Sequence, residues 1–279
     1  MKEVIHTFGS ENNLTGIATI PDNINKKVAV ILFNAGVLHK VNAFDMNIDL
    51  MKMLADDGSL VFRFDLSGMG DSKKSKNKST LNEQVINDLI QSMDLIEDKY
   101  NVKDFVFIGL CTGADNAHKI SVADDRVMGV VWLDGYAYPT TEYNKLNFVR
   151  YIKAALNPAK LLKFIRKKLA AVFGDDSDYV SDEGVDNYFW ELPDKEVYRK
   201  QMQDIFKRNS KGLYLYSGGV NDYYLYEGQF FDAFKGEKFL SNIEEQYYDN
   251  ADHLYVIKKH RLIMLERIKK WMRDHFLVE

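Results

Sequence analysis

Residues 105–113 read Phe105-Val106-Phe107-Ile108-Gly109-Leu110-Cys111-Thr112-Gly113. The stretch 105–109 is a short apolar run of β-branched and aromatic residues, the pattern of a strand buried on both faces. A helical pattern begins immediately afterwards. Between them, GLCTG has the form G-x-nucleophile-x-G. Small residues two before and two after the central side chain let a strand and a helix approach across a sharp turn. Such a turn lifts Cys111 to the carboxyl end of the sheet, where open α/β sheets bind ligands. A helix start also offers partial positive charge, which favours a thiolate. A free cysteine is more often a small buried hydrophobe. The strand before it and the helix after it give Cys111 its reading as a nucleophile. Thr112 lies off the centre of the motif and is discounted in that role.

Outward from this elbow, strands and helices alternate. Residues 2–8 and 14–20 read as a hairpin around Gly9–Asn13. VAVILFN (28–34), LVFRFD (60–65) and VMGVVWLD (127–134) are further buried-strand runs. Helices are expected at 43–57 and 81–99, the latter with Thr80 as N-cap paired to Glu83. After a break the rhythm resumes with a strand at 212–218, a helix near 223–234, a strand near 243–249 and a closing helix at 254–275. The alternation predicts a doubly wound, mostly parallel sheet with helices on both faces. Residues 1–139 and 211–279 form this core, and 140–210 is a helical insertion, a cap or lid.

The 279 residues, 46% of them hydrophobic, suffice for one large domain with an insertion. A net charge of −4 makes nucleic acid a poor partner. No apolar leader opens the chain and no stretch approaches the roughly 20 apolar residues that span a bilayer. With 1 Cys, neither an internal disulfide nor a cysteine zinc cage can form, which suits a reducing cytoplasm. No cofactor or metal motif is present, and no H-x-x-x-H spacing occurs.

In this architecture the order along the chain is nucleophile, acid, histidine. Four histidines follow Cys111. His118 lies on the helix leaving the elbow, too close to fold back. His260 and His275 lie on the charged final helix and are expected in solvent. His253, in YYDNADHLY (247–255), sits in the loop between the last strand and the last helix, where the base belongs. Asp222 is the carboxylate of the loop after 212–218 and is taken as the acid that orients His253. Asp before a helix also caps it. The competitor is Asp134, at the end of VVWLD, while Asp249 and Asp252 lie near His253 in sequence. The oxyanion hole is assigned to the backbone N–H groups of Thr112 and Val37. Asn34, Gly36, His39 and Tyr223 are taken as substrate-binding residues, with Tyr224 and Tyr226 as further pocket candidates. DLSGMGDS (65–72) lacks the lysine of a P-loop and the full G-x-G-x-x-G spacing, and reads as a tight structural turn.

Taken together, the NAG loop at 34–36, DLSGMGDS, GLCTG, the Asp222 loop and Asp252-His253 follow one another as in the α/β-hydrolase superfamily, which the sequence resembles over nearly its whole length. NAGVLH, FDLSGMGDS and GLCTGAD also resemble a bacterial branch of exosortase-associated and surface-glycan-cluster hydrolases. The resemblance implies an eight-strand-type sheet with a lid between strands six and seven. Two departures stand out: Cys replaces the usual Ser, and Asn-Ala replaces His-Gly. Both argue against ordinary lipase or peptidase activity.

The expectation is therefore an acyl hydrolase with a Cys111-His253-Asp222 triad and an acyl-enzyme, acting on esters or thioesters. An acyltransferase using the same triad and a non-catalytic binding protein of the same fold are the alternatives. The substrate is a small-molecule or carrier-bound acyl group. In 153–170, Lys153, Lys160, Lys163, Arg166, Lys167 and Lys168 interleave with Leu161, Leu162, Phe164, Ile165 and Leu169. That basic amphipathic stretch suits an acyl-carrier protein or a membrane surface, or else a lid helix with solvated charges.

Overall fold

The computed structural model describes residues 1–155 and 192–277. Eight strands form one sheet: β1 (Lys2–Phe8), β2 (Leu14–Ile20), β3 (Asn25–Leu32), β4 (Ser59–Asp65), β5 (Phe105–Leu110), β6 (Val127–Leu133), β7 (Lys211–Ser217) and β8 (Ile243–Tyr248). Their order is β1-β2-β4-β3-β5-β6-β7-β8. β1 and β2 pair antiparallel, as does β2 with β4, and every other pair is parallel. Every residue of β4 and β5 is buried; β5 is an unbroken apolar run, while β4 also buries Arg63, which pairs with Glu3, and Asp65 at its end. β1 alternates exposed and half-buried positions, the pattern of an edge strand.

Helices cover both faces. On one, α2 (Leu81–Tyr100) and α3 (Thr112–Ala123) bury Val85, Leu89, Met93, Ile96, Ala117 and Ile120 against the phenylalanines of β4 and β5. On the other, α1 (Met46–Asp56) and the closing helix lay Leu50, Leu54, Met264, Leu265 and Trp271 over Val30, Leu32, Val106 and Val131. The capping box of α2 forms as expected: Thr80 Oγ1 accepts from Glu83 N, and Glu83 accepts from Thr80 N.

Three helix boundaries differ from expectation. α1 starts at Met46, because Phe44 and Asp45 take left-handed backbone angles beneath an Asn42 cap. In place of a helix over 223–234 there is only α6 (Gln229–Ala233). Tyr224 instead turns inward and stacks on Tyr216, ring centres 3.8 Å apart. The closing helix α7 (Lys258–Met272) begins late because the Asp252 carboxylate accepts from Leu254 N and Val256 N, holding a turn where helix was expected.

The chain between β6 and β7 enters through α4 (Thr141–Ala155) and returns through α5 (Lys195–Phe206). α5 buries Tyr198, Met202, Ile205 and Phe206 in the main core, so the second end of the expected insertion belongs to the core layer. The basic stretch at 153–170 lies, beyond its first residues, outside the described residues. No described helix is long and apolar enough to cross a membrane.

Candidate active site

The elbow forms where the sequence places it. Cys111 stands between β5 and α3 with φ 57° and ψ −124°, a conformation that costs a non-glycine residue about 1–3 kcal/mol and recurs at functional sites. Cys111 N donates to Leu133 O at 3.0 Å, which fixes the turn to the end of β6. The flanking glycines are steric necessities of different strength. A Cβ on Gly109 would lie 2.1 Å from Gly113 O, and one on Gly113 would lie 3.1 Å from Asn34 O. The thiol is half-buried at the carboxyl end of the sheet.

His253 reaches the elbow from the loop after β8. Its Nδ1 meets Asp134 Oδ2 at 2.7 Å. Asp134, fully buried, directly follows β6 with φ 55°, and its backbone N–H still donates to Leu215 O. Its remaining capacity is filled by one residue of β7: Ser217 N donates to Oδ1 at 2.6 Å and Ser217 Oγ to Oδ2 at 2.8 Å. Two glycines after Ser217 then admit the histidine loop. A Cβ on Gly218 would meet Asp249 O at 2.0 Å, and one on Gly219 would meet His253 N at 2.3 Å. Asp134 first, and the Cys111 sulfur second, push the His253 pKa up to about 10 against the burial that lowers it. The imidazole is thus held protonated at neutral pH between the Asp134 carboxylate and the Cys111 sulfur.

The carboxylate at His253 is Asp134, not Asp222. Asp222 points outward, its side chain 91% exposed, and pairs with Arg150 at 3.0 Å. The helix it was expected to precede does not form there, so the segment turns its carboxylate away from the histidine. Asp249 is exposed and bonds Asn250, and Asp252 holds its own turn. Of the other histidines, His118 is buried and bonded to Gln201 at 2.9 Å, while His275 bonds Glu244. His260 is half-buried, not in open solvent. Tyr223 does lie at the site: its hydroxyl donates to Asp134 O at 2.9 Å, and the charges of Asp134 and Cys111 both act on it.

The loop after β3 leans on the elbow through Thr112, whose Oγ1 accepts from Gly36 N at 2.6 Å. That bond accounts for the Thr112 hydroxyl and for the N–H of Gly36, which sits at φ 55°. Val37 follows on the exposed tip. Asn34 is not available to a substrate. Its amide nitrogen donates to Leu38 O and to Asp65 Oδ1, and its oxygen accepts from Leu66 N. These bonds staple the ends of β3 and β4.

DLSGMGDS is likewise structural. Asp65, fully buried, accepts from Asn34 Nδ2, Lys40 N, Lys40 Nζ and Asp71 N. Gly70 is obligatory, since a Cβ there would lie 2.4 Å from the Asp65 carboxylate. His39, Asp65 and Asp71 converge in the manner of metal ligands, but the cation among them is the buried Lys40 ammonium. It lies 2.8 Å from Asp65 Oδ2 and 2.9 Å from His39 Nε2, and it also bonds Asp71. Lys40 holds the Asp71 carboxyl below its usual range. His39 is therefore tied to Lys40 and Asp71 rather than turned toward Cys111.

The sequence offers Asp134 only as a competitor and does not single out Ser217 within the strand at 212–218. The signal for Ser217 was its place before two glycines.

Solved structures share this architecture at low sequence identity. An esterase from Pyrococcus furiosus superimposes with a TM-score of 0.60 at 17% identity, over 98% of this chain and 90% of its own. XC6422 from Xanthomonas campestris, described as an α/β serine hydrolase without lid, gives 0.58 at 10% identity, over 98% and 94%. The esterase domain of a Rhodothermus marinus protein gives 0.58 at 15% identity, over 98% of each chain. No curated protein matches the chain in sequence. The family model described as the alpha/beta hydrolase fold matches residues 29–267, most of the chain. With that match, the eight-stranded sheet and the strand–elbow–helix around Cys111, the chain belongs to the α/β-hydrolase fold family.

Proposed function

We propose that the protein is an acyl hydrolase in which Cys111 is the nucleophile, His253 the general acid and base, and Asp134 the residue that orients His253. The observation that carries this reading is the line from the Asp134 carboxylate through His253 to the Cys111 elbow. With Nδ1 engaged by Asp134, the other ring nitrogen serves the sulfur. The thiolate adds to the carbonyl carbon of an ester or thioester. The developing oxyanion is received by Thr112 N–H at the start of α3 and by Val37 N–H on the facing loop. Collapse of the tetrahedral intermediate expels the alkoxide or thiolate, which takes the proton from His253. Water then gives a proton to His253 and attacks the Cys111 thioester, releasing the acid and the thiol.

A thiolate is itself a good leaving group, so attack leads forward most readily on activated acyl groups: thioesters, lactones and activated esters. Ester-cleaving neighbours of the same fold support the class by analogy of architecture.

The test is single-turnover reaction with 4-nitrophenyl butyrate and a butyryl thioester, followed by intact-mass analysis. Release of nitrophenolate with one butyryl group on wild-type Cys111, and neither in Cys111→Ala, supports the proposal. Equal turnover in Cys111→Ala overturns it.

A further inference from the structure

The elbow carries one side-chain donor that neither the triad nor the backbone uses. Thr112 is the first residue of α3, so its N–H has no acceptor within the helix. Its hydroxyl cannot bond back to a helical carbonyl either, because the residues three and four before it, Gly109 and Ile108, are still in β5. The bond from Gly36 N–H at 2.6 Å uses a lone pair of the Thr112 oxygen and leaves the hydroxyl proton to give. No acceptor among the described residues takes that proton. Thr112 is half-buried, like Cys111 beside it. The hydroxyl also lies in the seam between the elbow and the loop after β3. A Cβ on Gly113 would lie 3.1 Å from Asn34 O, so the loop is pressed against the first turn of α3. A Cβ on Gly36 would find, among the described residues, Thr112 Oγ1 alone, 4.0 Å away. The space on that side of Gly36 is therefore open, and the hydroxyl faces it.

A hydroxyl that accepts a hydrogen bond is polarised by it and donates more strongly. The donor behind this one is a backbone amide, fixed by the left-handed turn at Gly36 with φ 55°. The Gly36 N–H is spent on the Thr112 oxygen, so its dipole acts on the site through that hydroxyl. Thr112 thus presents two donors, N–H and O–H, from one residue next to the sulfur.

We propose that the Thr112 hydroxyl is a catalytic side-chain donor of the oxyanion hole. It accepts from Gly36 N–H and donates to the acyl oxygen that becomes negative as Cys111 Sγ adds to the acyl carbon. It works beside the backbone donors Thr112 N–H and Val37 N–H. Its proton stays on Thr112 throughout, and the bond to the oxyanion weakens as the intermediate collapses and the carbonyl re-forms. The inference rests on the acyl-hydrolase reading above.

The experiment follows two reactions of Cys111 in wild type, Thr112→Ser and Thr112→Val. The first is acylation by 4-nitrophenyl butyrate, read as the rate of the nitrophenolate burst against ester concentration. The second is alkylation by iodoacetamide, a displacement at a methylene carbon that builds no oxyanion. Valine keeps the shape of threonine and a methyl group over Gly36 N–H, so that amide is not freed to take the hydroxyl's place. Thr112→Val lowers the saturating acylation rate by about 100-fold, the scale of one oxyanion donor, and leaves the half-saturating ester concentration within about twofold. Thr112→Ser, which keeps the hydroxyl, retains most of the rate. Alkylation stays within about threefold of wild type in both variants, since the thiolate and its histidine are untouched. Acylation of Thr112→Val at the wild-type rate overturns this inference alone. So does a Thr112→Ser as slow as Thr112→Val, or an equal fall of acylation and alkylation, which would make Thr112 a structural residue. If wild-type Cys111 takes no butyryl group while iodoacetamide still labels it, the hydrolase reading fails and this inference with it.

Discussion

Asp134 directly follows β6 and Asp222 lies just beyond β7, and in one dimension either could meet His253. What separates them is a set of donors. Ser217 N and Oγ both donate to the buried Asp134 carboxylate, and His253 Nδ1 completes the shell. Asp222 meets an arginine in solvent. Sequence reasoning singles out Cys111 and His253 because each sits on a recognisable junction, but donor geometry around a carboxylate has no linear signature. The same holds for Asn34, whose amide closes a loop that its position alone offered to a substrate. At this scale the titration of His253 is the sharpest consequence. Asp134 and Cys111 raise its pKa from 6.5 to about 10, so the protonated form binds more tightly in the folded state. The stabilisation is complete below the unfolded value of about 6.5 and is lost as the pH climbs through the folded one. The melting-temperature gap between wild type and His253→Gln is therefore widest near about pH 6 and closes by roughly pH 10.5. Differential scanning calorimetry across that range checks it, and a gap that widened with pH would contradict the assignment.

Elements were easier to read than partners. β5 was recognisable because a strand buried on both faces is apolar throughout, and β4 because only Arg63 interrupts its run from Leu60 to Phe64. The helix expected over 223–234 shrank to α6 (Gln229–Ala233). Its aromatic spacing serves the stacking of Tyr224 on Tyr216 and of Phe230 on Tyr214, and aromatic periodicity alone does not reveal which surface a ring will find. The elbow itself makes a steep prediction. In Gly109→Ala the new methyl group would sit 2.1 Å from the backbone oxygen of Gly113, and neither backbone can yield without opening the turn. We expect a loss on the order of 3 kcal/mol or more in urea unfolding, with Cys111 chemistry lost as well. Stability within about 0.5 kcal/mol of wild type would show that the elbow is less tight than described.

Across the whole molecule, the alternation of strands and helices made the parallel sheet predictable, since parallel neighbours need a crossover and helices are the usual means. Composition could not reveal that α5 joins the main core, because its buried face reads in sequence like that of any amphipathic helix. The sheet separates two cores, with Met93 of α2 in one and Met264 of α7 in the other, both fully buried. Met93→Ala and Met264→Ala should each cost about 2–5 kcal/mol. Because both cores share the sheet, each variant should unfold in a single transition by circular dichroism and by tryptophan fluorescence alike. Two separated transitions would mean that the layers fold independently.

The central claim, that Cys111 is activated by His253 under the direction of Asp134, is tested most directly by the rate at which iodoacetamide labels the chain's 1 cysteine at neutral pH. Wild type, His253→Ala, Asp134→Asn and Asp222→Asn are compared. Wild type and Asp222→Asn should label rapidly and alike. His253→Ala should be slower by about tenfold or more, with Asp134→Asn between. Equal rates in all four proteins, or a loss confined to Asp222→Asn, would contradict the account.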